Sequence, residues 1–133
     1  METQMPELTN LVYDTGALIA AERGERRMWA LHAEALHRGV LPSVPAGVLA
    51  QAWRGGPQPQ LSRLLRGCTI EQLDEPHARS AGRLCAIAGT SDVVDASVVV
   101  LASARGGLVV SSDRDDIAEL SQALGTSVSI IDM

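Results

Sequence analysis

Six aspartates carry most of the chemistry this sequence could perform. Asp14 ends the short apolar run Leu11-Val12-Tyr13, Asp92 and Asp95 stand three residues apart, and Asp113, Asp115 and Asp116 form a second acidic group. Residues three apart share a helix face, so Asp92 and Asp95 present their carboxylates together if a helix starts there. Two like charges about 4 Å apart repel by roughly 4 kcal/mol at an effective dielectric near 20, so converging carboxylates need a counter-charge or take up protons. A divalent cation supplies that counter-charge directly. Oxygen ligands without His or Cys suit Mg²⁺ or Mn²⁺ rather than zinc, and such an ion keeps waters that can attack phosphate, so phosphodiester hydrolysis is the natural chemistry. A plainer role competes. Asp is a preferred helix N-cap, and Asp14, Asp92 and Asp113 each precede a segment that reads as a helix. Taken singly each is more often a cap than a ligand, and only their joint placement favours a site.

The elements that must position these acids follow from apolar periodicity and from breakers. Leu11 to Tyr13 reads as a strand that stops at Asp14-Thr15-Gly16, and Ala17 to Glu22 as a helix. Glu25 to Arg38 places Met28, Leu31, Ala35 and Leu36 at helical spacing before the stop at Gly39. A second strand is expected over Val40 to Val44, then a helix from Pro45 through Trp53, a break at Gly55-Gly56-Pro57, and a helix carrying Leu61, Leu64 and Leu65 to Arg66. Cys68 to Leu73 reads as a third strand and Glu75 to Ala88 as a helix. Asp92 to Arg105 is ambiguous, because Val98-Val99-Val100-Leu101 has strand propensity while the alanines and the length suit a buried helix; a helix is expected. Leu108 to Ser111 is a strand ending near Asp113, Ile117 to Leu124 a helix, and Val128 to Ile131 a last strand. Strands alternating with helices predict an α/β fold: one domain over residues 1–133, with a mainly parallel sheet of about five strands covered on both faces in three layers. Ligands of such sheets bind beyond the carboxyl ends of the strands, where this reading puts both Asp14 and Asp113.

Composition narrows the function. The formal charge is −5, which argues against a broad basic surface as the main hold on nucleic acid. There is no Phe and one Tyr, so aromatic stacking platforms are nearly excluded and the core must be aliphatic. All eleven basic residues are Arg, a bias that identifies nothing alone. Cys68 and Cys85 form no CxxC pair and read as buried thiols in a reducing compartment. Met1 to Asn10 carries Glu2 and Glu7 without a basic start, and no apolar run is long enough for a membrane span, so a cytoplasmic protein is expected.

At three places the sequence resembles the PIN-domain nucleases, and among them the VapC-type toxin ribonucleases of toxin–antitoxin pairs. Val12-Tyr13-Asp14-Thr15-Gly16-Ala17-Leu18-Ile19 is similar to the family's opening strand and metal-binding Asp. Asp95-Ala96-Ser97-Val98-Val99-Val100-Leu101-Ala102 resembles the helix that begins with a catalytic Asp, and Val109-Val110-Ser111-Ser112-Asp113-Arg114-Asp115-Asp116 the next strand and acidic turn. The motifs come in the family's order. The resemblance implies a PIN-like fold and a Mg²⁺- or Mn²⁺-dependent endoribonuclease in which Asp14, Asp95 and Asp113 bind metal. Asp116 would be a fourth acidic contributor and Asp92 an additional neighbour. It also implies an RNA substrate, a homodimer, and a small cognate antitoxin protein that blocks the acidic pocket. One departure stands out: in the segment Val44 to Arg54, Gln51 occupies a place where the family usually has Glu. Gln can bind a metal's water but brings no charge, and Arg54 beside it could hold an RNA phosphate or simply solvate a helix end.

Other readings are weaker. Asp14-Thr15-Gly16-Ala17 matches the aspartic-protease tetrapeptide, yet the flanking pattern is helical where that fold is β-rich. A phosphatase with an aspartate nucleophile would want a second Asp where Gly16 stands. His32, His37 and His77 suggest no metal pair, and Trp29 and Trp53 read as partly buried core residues. Arg105 and Arg114 are further candidates for phosphate contact. A PIN-like module that binds RNA or protein without catalysis is the rival from another class, favoured by Gln51; a small-molecule-binding doubly wound domain lacks a GxGxxG turn or phosphate loop.

Overall fold

β1 (Leu11–Tyr13) is wholly buried, and its aliphatic and aromatic side chains have helices above and below. A computed structural model describes residues 8–133, so the acidic opening with Glu2 and Glu7 lies outside the described residues. After β1 come α1 (Thr15–Glu22), α2 (Arg26–His37), β2 (Ser43–Pro45), α3 (Ala46–Ala52), α4 (Pro59–Leu65) and β3 (Thr69–Glu71). The rest is α5 (Glu75–Ala88), α6 (Val93–Arg105), β4 (Leu108–Ser111), α7 (Arg114–Leu124) and β5 (Ser129–Asp132).

The five strands form one parallel sheet in the order β3-β2-β1-β4-β5. The chain first moves from β1 outward to β3, then returns to the other side of β1. This reversal opens a crevice between the carboxyl ends of β1 and β4. In register, Leu11, Val12 and Tyr13 lie opposite Leu108, Val109 and Val110. Helices α5, α6 and α7 pack together on one face, with α6 against β1, β2 and β4; α1 packs with α2 and α4 on the other. α3 leaves β2 at the carboxyl edge and touches both α1 and α6. The architecture is the three-layer α/β sandwich that the alternation of elements predicts.

Several boundaries differ from the sequence reading: β3 spans only Thr69–Glu71 where Cys68 to Leu73 is expected, and Pro45 ends β2 rather than opening a helix. α1 starts at Thr15 rather than Ala17 because Asp14 caps it, and α7 starts at Arg114 rather than Ile117. β2 begins at Ser43 rather than Val40, since the Val40 N–H is used on the Ala35 carbonyl to close α2. The ambiguous valine run is helical. α6 buries Ala96, Val98, Val99, Leu101 and Ala102, because a residue covered on nearly all sides has no use for the two-sided period of a strand.

The core is aliphatic apart from one polar lock. The Tyr13 hydroxyl lies 2.9 Å from Nδ1 of buried His32 on α2. Burial, assisted by the Arg63 charge, pushes the His32 pKa down, so a neutral ring pairs with a tyrosine that burial keeps protonated. Trp29 stands edge-on to His32, donates from Nε1 to the Ala21 carbonyl at 2.9 Å, and carries the Arg63 guanidinium 4.0 Å from its ring centre. Trp53, by contrast, is 40% exposed rather than a core residue. His77 packs onto α6 through the Ser97 carbonyl, and both cysteines are free. Among the described residues no single helix is long and apolar enough to cross a membrane.

Candidate metal centre

Asp14 is delivered by β1 into the crevice between β1 and β4. Its N–H donates to the Val110 carbonyl at 3.1 Å, extending the β1–β4 pairing one residue beyond the strand. Its Oδ1 accepts from the Ala17 N–H at 2.9 Å, and the buried Ser111 hydroxyl hydrogen-bonds the same carboxylate. Burial raises the Asp14 pKa and the Asp113 charge adds to this, while Ser111 and the N–H groups of Ala17 and Gly16 oppose it. Gly16 is required by close approach: a Cβ there would fall on the Ser112 hydroxyl.

α6 brings the second pair of acids. Asp92 caps the helix, accepting from the Asp95 N–H at 3.0 Å, and donates its own N–H to Thr90 Oγ1 at 3.2 Å. Asp95, in the first turn, is pushed up to about 7 by burial, then by the charge and hydrogen bond of Asp92, then by the charges of Asp14 and Asp113. These four acids are therefore one electrostatic group.

α7 supplies the third. Asp113 holds the N-cap position but its side chain makes no capping hydrogen bond; its N–H donates to Ser111 Oγ at 2.8 Å. The capping alternative therefore describes Asp14 and Asp92 but leaves the Asp113 carboxylate free. Carboxylate oxygens of Asp95, Asp113 and Asp116 lie within 4.8 Å of one another. Asp14 stands beside this triad, Asp92 is engaged as a cap, and Asp115 lines a separate opening with Ser121 and Gln122. The N-terminal ends of α1, α6 and α7 all meet here, and their dipoles favour negative charge.

Two participants escape sequence reasoning. Ser111 ties Asp14 to the backbone of Asp113, and only its polarity at the end of an apolar strand marks it. Glu119 joins Asp92, Asp95 and Asp116 in lining a pocket of about 110 Å³, and its place three residues after Asp116, on the same helix face, is a signal that was available.

The remaining candidates ring the site unevenly. Gln51 on α3 is held at 2.6 Å by the hydroxyl of Thr15, the residue after Asp14. Exposed Arg54 turns back on the carbonyls of Ala50 and Trp53 at the end of its own helix. Arg105 is at the far end of α6, roughly 15 Å along the axis from Asp95, and pairs with Glu71 at 2.8 Å. Arg114 donates to the Ile130 carbonyl on β5.

The donor set fits a hard divalent cation. It consists of oxygens alone, and no ion pair among the described residues involves these acids. Asp95, Asp113 and Asp116 would hold such an ion, each through one carboxylate oxygen.

No protein-family model matches this sequence, and no curated protein matches it. Solved structures do. The chain superposes on VapBC2 from Rickettsia felis, crystallised bound to a DNA fragment from their promoter, with a TM-score of 0.66 and 13% identity, over 94% of this chain and 99% of that one. It superposes on FitAB bound to an IR36 DNA fragment with a TM-score of 0.60 and 14% identity, over 92% and 94% of the two chains. At such identities the likeness establishes the fold alone, shared with chains of these two complexes over more than nine tenths of this chain.

Proposed function

We propose that this chain is a Mg²⁺- or Mn²⁺-dependent endoribonuclease, the toxin of a VapBC-type toxin–antitoxin pair. The observation that carries the reading is the convergence of Asp95, Asp113 and Asp116 to within 4.8 Å without a neutralising Arg, with Asp95 pushed up to about 7. These three residues would hold the ion. When bound, the ion supplies positive charge to the scissile phosphate and makes water a better nucleophile near neutral pH. Asp14 stands beside them, its carboxyl group hydrogen-bonded by Ser111 and the Ala17 N–H. Asp95 would hold such an ion as the carboxylate. Gln51, anchored by Thr15, offers a neutral polar group at the rim.

Likeness to VapBC2 and FitAB supports a small antitoxin protein as partner, and the family resemblance a homodimer. A second reading, a PIN-like module that binds without cleaving, is favoured by one observation: the rim group is a neutral Gln51 where the family usually has Glu. The test is cleavage of a labelled structured RNA with Mg²⁺, Mn²⁺ or EDTA by the parent, Asp113→Asn and Gln51→Glu. Cleavage that needs metal and disappears in Asp113→Asn is the expected outcome. A silent parent with an active Gln51→Glu would favour the binding module, and cleavage that persists in Asp113→Asn with EDTA would refute the metal centre.

A further inference from the structure

Two openings flank the acidic edge, and their charges differ. On the α6–α7 side the pocket is lined by Asp92, Asp95, Asp116 and Glu119, four carboxylates with no cation among its walls. On the α1–β5 side a groove of about 370 Å³ is lined by Gly16, Ile19 and Arg23 of the α1 segment, by Glu25, and by Ser112 and Met133. That volume suits a nucleotide-sized group. Gly16 lies two residues beyond Asp14 and Ser112 directly precedes Asp113, so the groove and the acidic edge share a wall.

Among the groove's own walls Arg23 is the one cation and Glu25 the one anion, against four carboxylates on the other side, and Arg27 and Arg114 reach the strand β5 that leads to Met133. The Arg23 side chain is exposed and enters none of the ion pairs among the described residues. Arg27 places one N–H on the Asp132 carbonyl at 3.0 Å, beside Met133, and Arg114 one on the Ile130 carbonyl at 3.2 Å. A guanidinium has five N–H donors, so each keeps others for a phosphate. Ile19, 40% exposed, offers an aliphatic surface to a ribose or base where no aromatic platform exists.

We propose that the groove between α1 and β5 is the path of single-stranded RNA, with Arg23 and Arg27 holding a phosphate next to the one that reaches Asp95, Asp113 and Asp116. The inference rests on the nuclease reading and adds a direction to it. A strand approaching from the α6–α7 side would bring its phosphates past four carboxylates, at a cost in repulsion that the groove, where Arg23 offsets Glu25, avoids.

The test compares the parent with Arg23→Ala, Arg23→Lys and, as a control on exposed α5, Arg83→Ala. Binding of fluorescein-labelled single-stranded RNA in EDTA is followed by anisotropy, cleavage with Mn²⁺ by steady-state kinetics, and folding by thermal melting. Arg23→Ala should raise Kd and KM about five- to tenfold with kcat and melting unchanged, lower the salt slope of log Kd by about 1, and be partly rescued by Arg23→Lys. Arg83→Ala should match the parent. Metal-dependent cleavage with Kd and KM indifferent to Arg23→Ala overturns the groove and leaves the nuclease standing. RNA binding that falls with Arg23→Ala in a parent that never cleaves keeps the groove and overturns the nuclease. A parent that neither binds nor cleaves RNA overturns both.

Discussion

Asp95 is the residue on which the charge balance of the site turns. Its folded-state pKa of about 7 stands against an ordinary value of 3.8, so between these pH values the folded chain keeps a proton that the unfolded chain has released. Stability owed to that proton is fully present below about pH 4 and is lost progressively as pH rises towards 7. In EDTA, Asp95→Asn should therefore raise the melting temperature at pH 8 by a few degrees and change it little at pH 4, as followed by circular dichroism; a lower melting temperature at pH 8 would mean that Asp95 is stabilised as an anion. The acids themselves are plain in the sequence, because Asp before a helix and Asp at i, i+3 are local patterns. Which carboxylate stays free is not. Asp14 and Asp92 spend an oxygen on capping and Asp113 does not, and that difference comes from cap geometry set by neighbouring elements.

At the scale of elements, the contact between the first turn of α1 and the β4–α7 turn holds Asp14 and Asp113 in the same crevice. Gly16→Ala would drive a methyl into Ser112, at a cost of about 1–3 kcal/mol by analogy with other overpacked sites. Ser112→Gly in that background should recover part of the loss, measured as a double-mutant cycle in urea; strict additivity of the two changes would show that they do not meet. Helices and strands were legible as types because their periods differ, and even the valine run of α6 resolved correctly on length. Boundaries were less legible. β2 lost Val40 to the end of α2, and α7 gained a turn at its start, because a residue next to a break joins whichever neighbour takes its hydrogen bonds.

Across the whole molecule, the strand order β3-β2-β1-β4-β5 turns acids far apart in the chain into neighbours. A divalent ion bound there should stabilise the fold by linkage: at a concentration 100-fold above Kd the gain is about 2.7 kcal/mol, or roughly 10 °C in Tm. About 10 mM Mn²⁺ should raise Tm for the parent and for Asp115→Asn, whose residue lines another opening, and should have no effect on Asp113→Asn; an equal response from all three would place the ion elsewhere. The sequence by itself determined the class of fold, the alternation that makes the sheet parallel, and the set of acids at strand ends, since each follows from local periodicity and residue type. Tertiary structure alone decided that Asp116 enters the tight triad while Asp14 stands beside it, that Ser111 and Glu119 join them, and that Arg105 faces away. The reason is that distances between elements depend on strand order and helix packing, which no local pattern encodes.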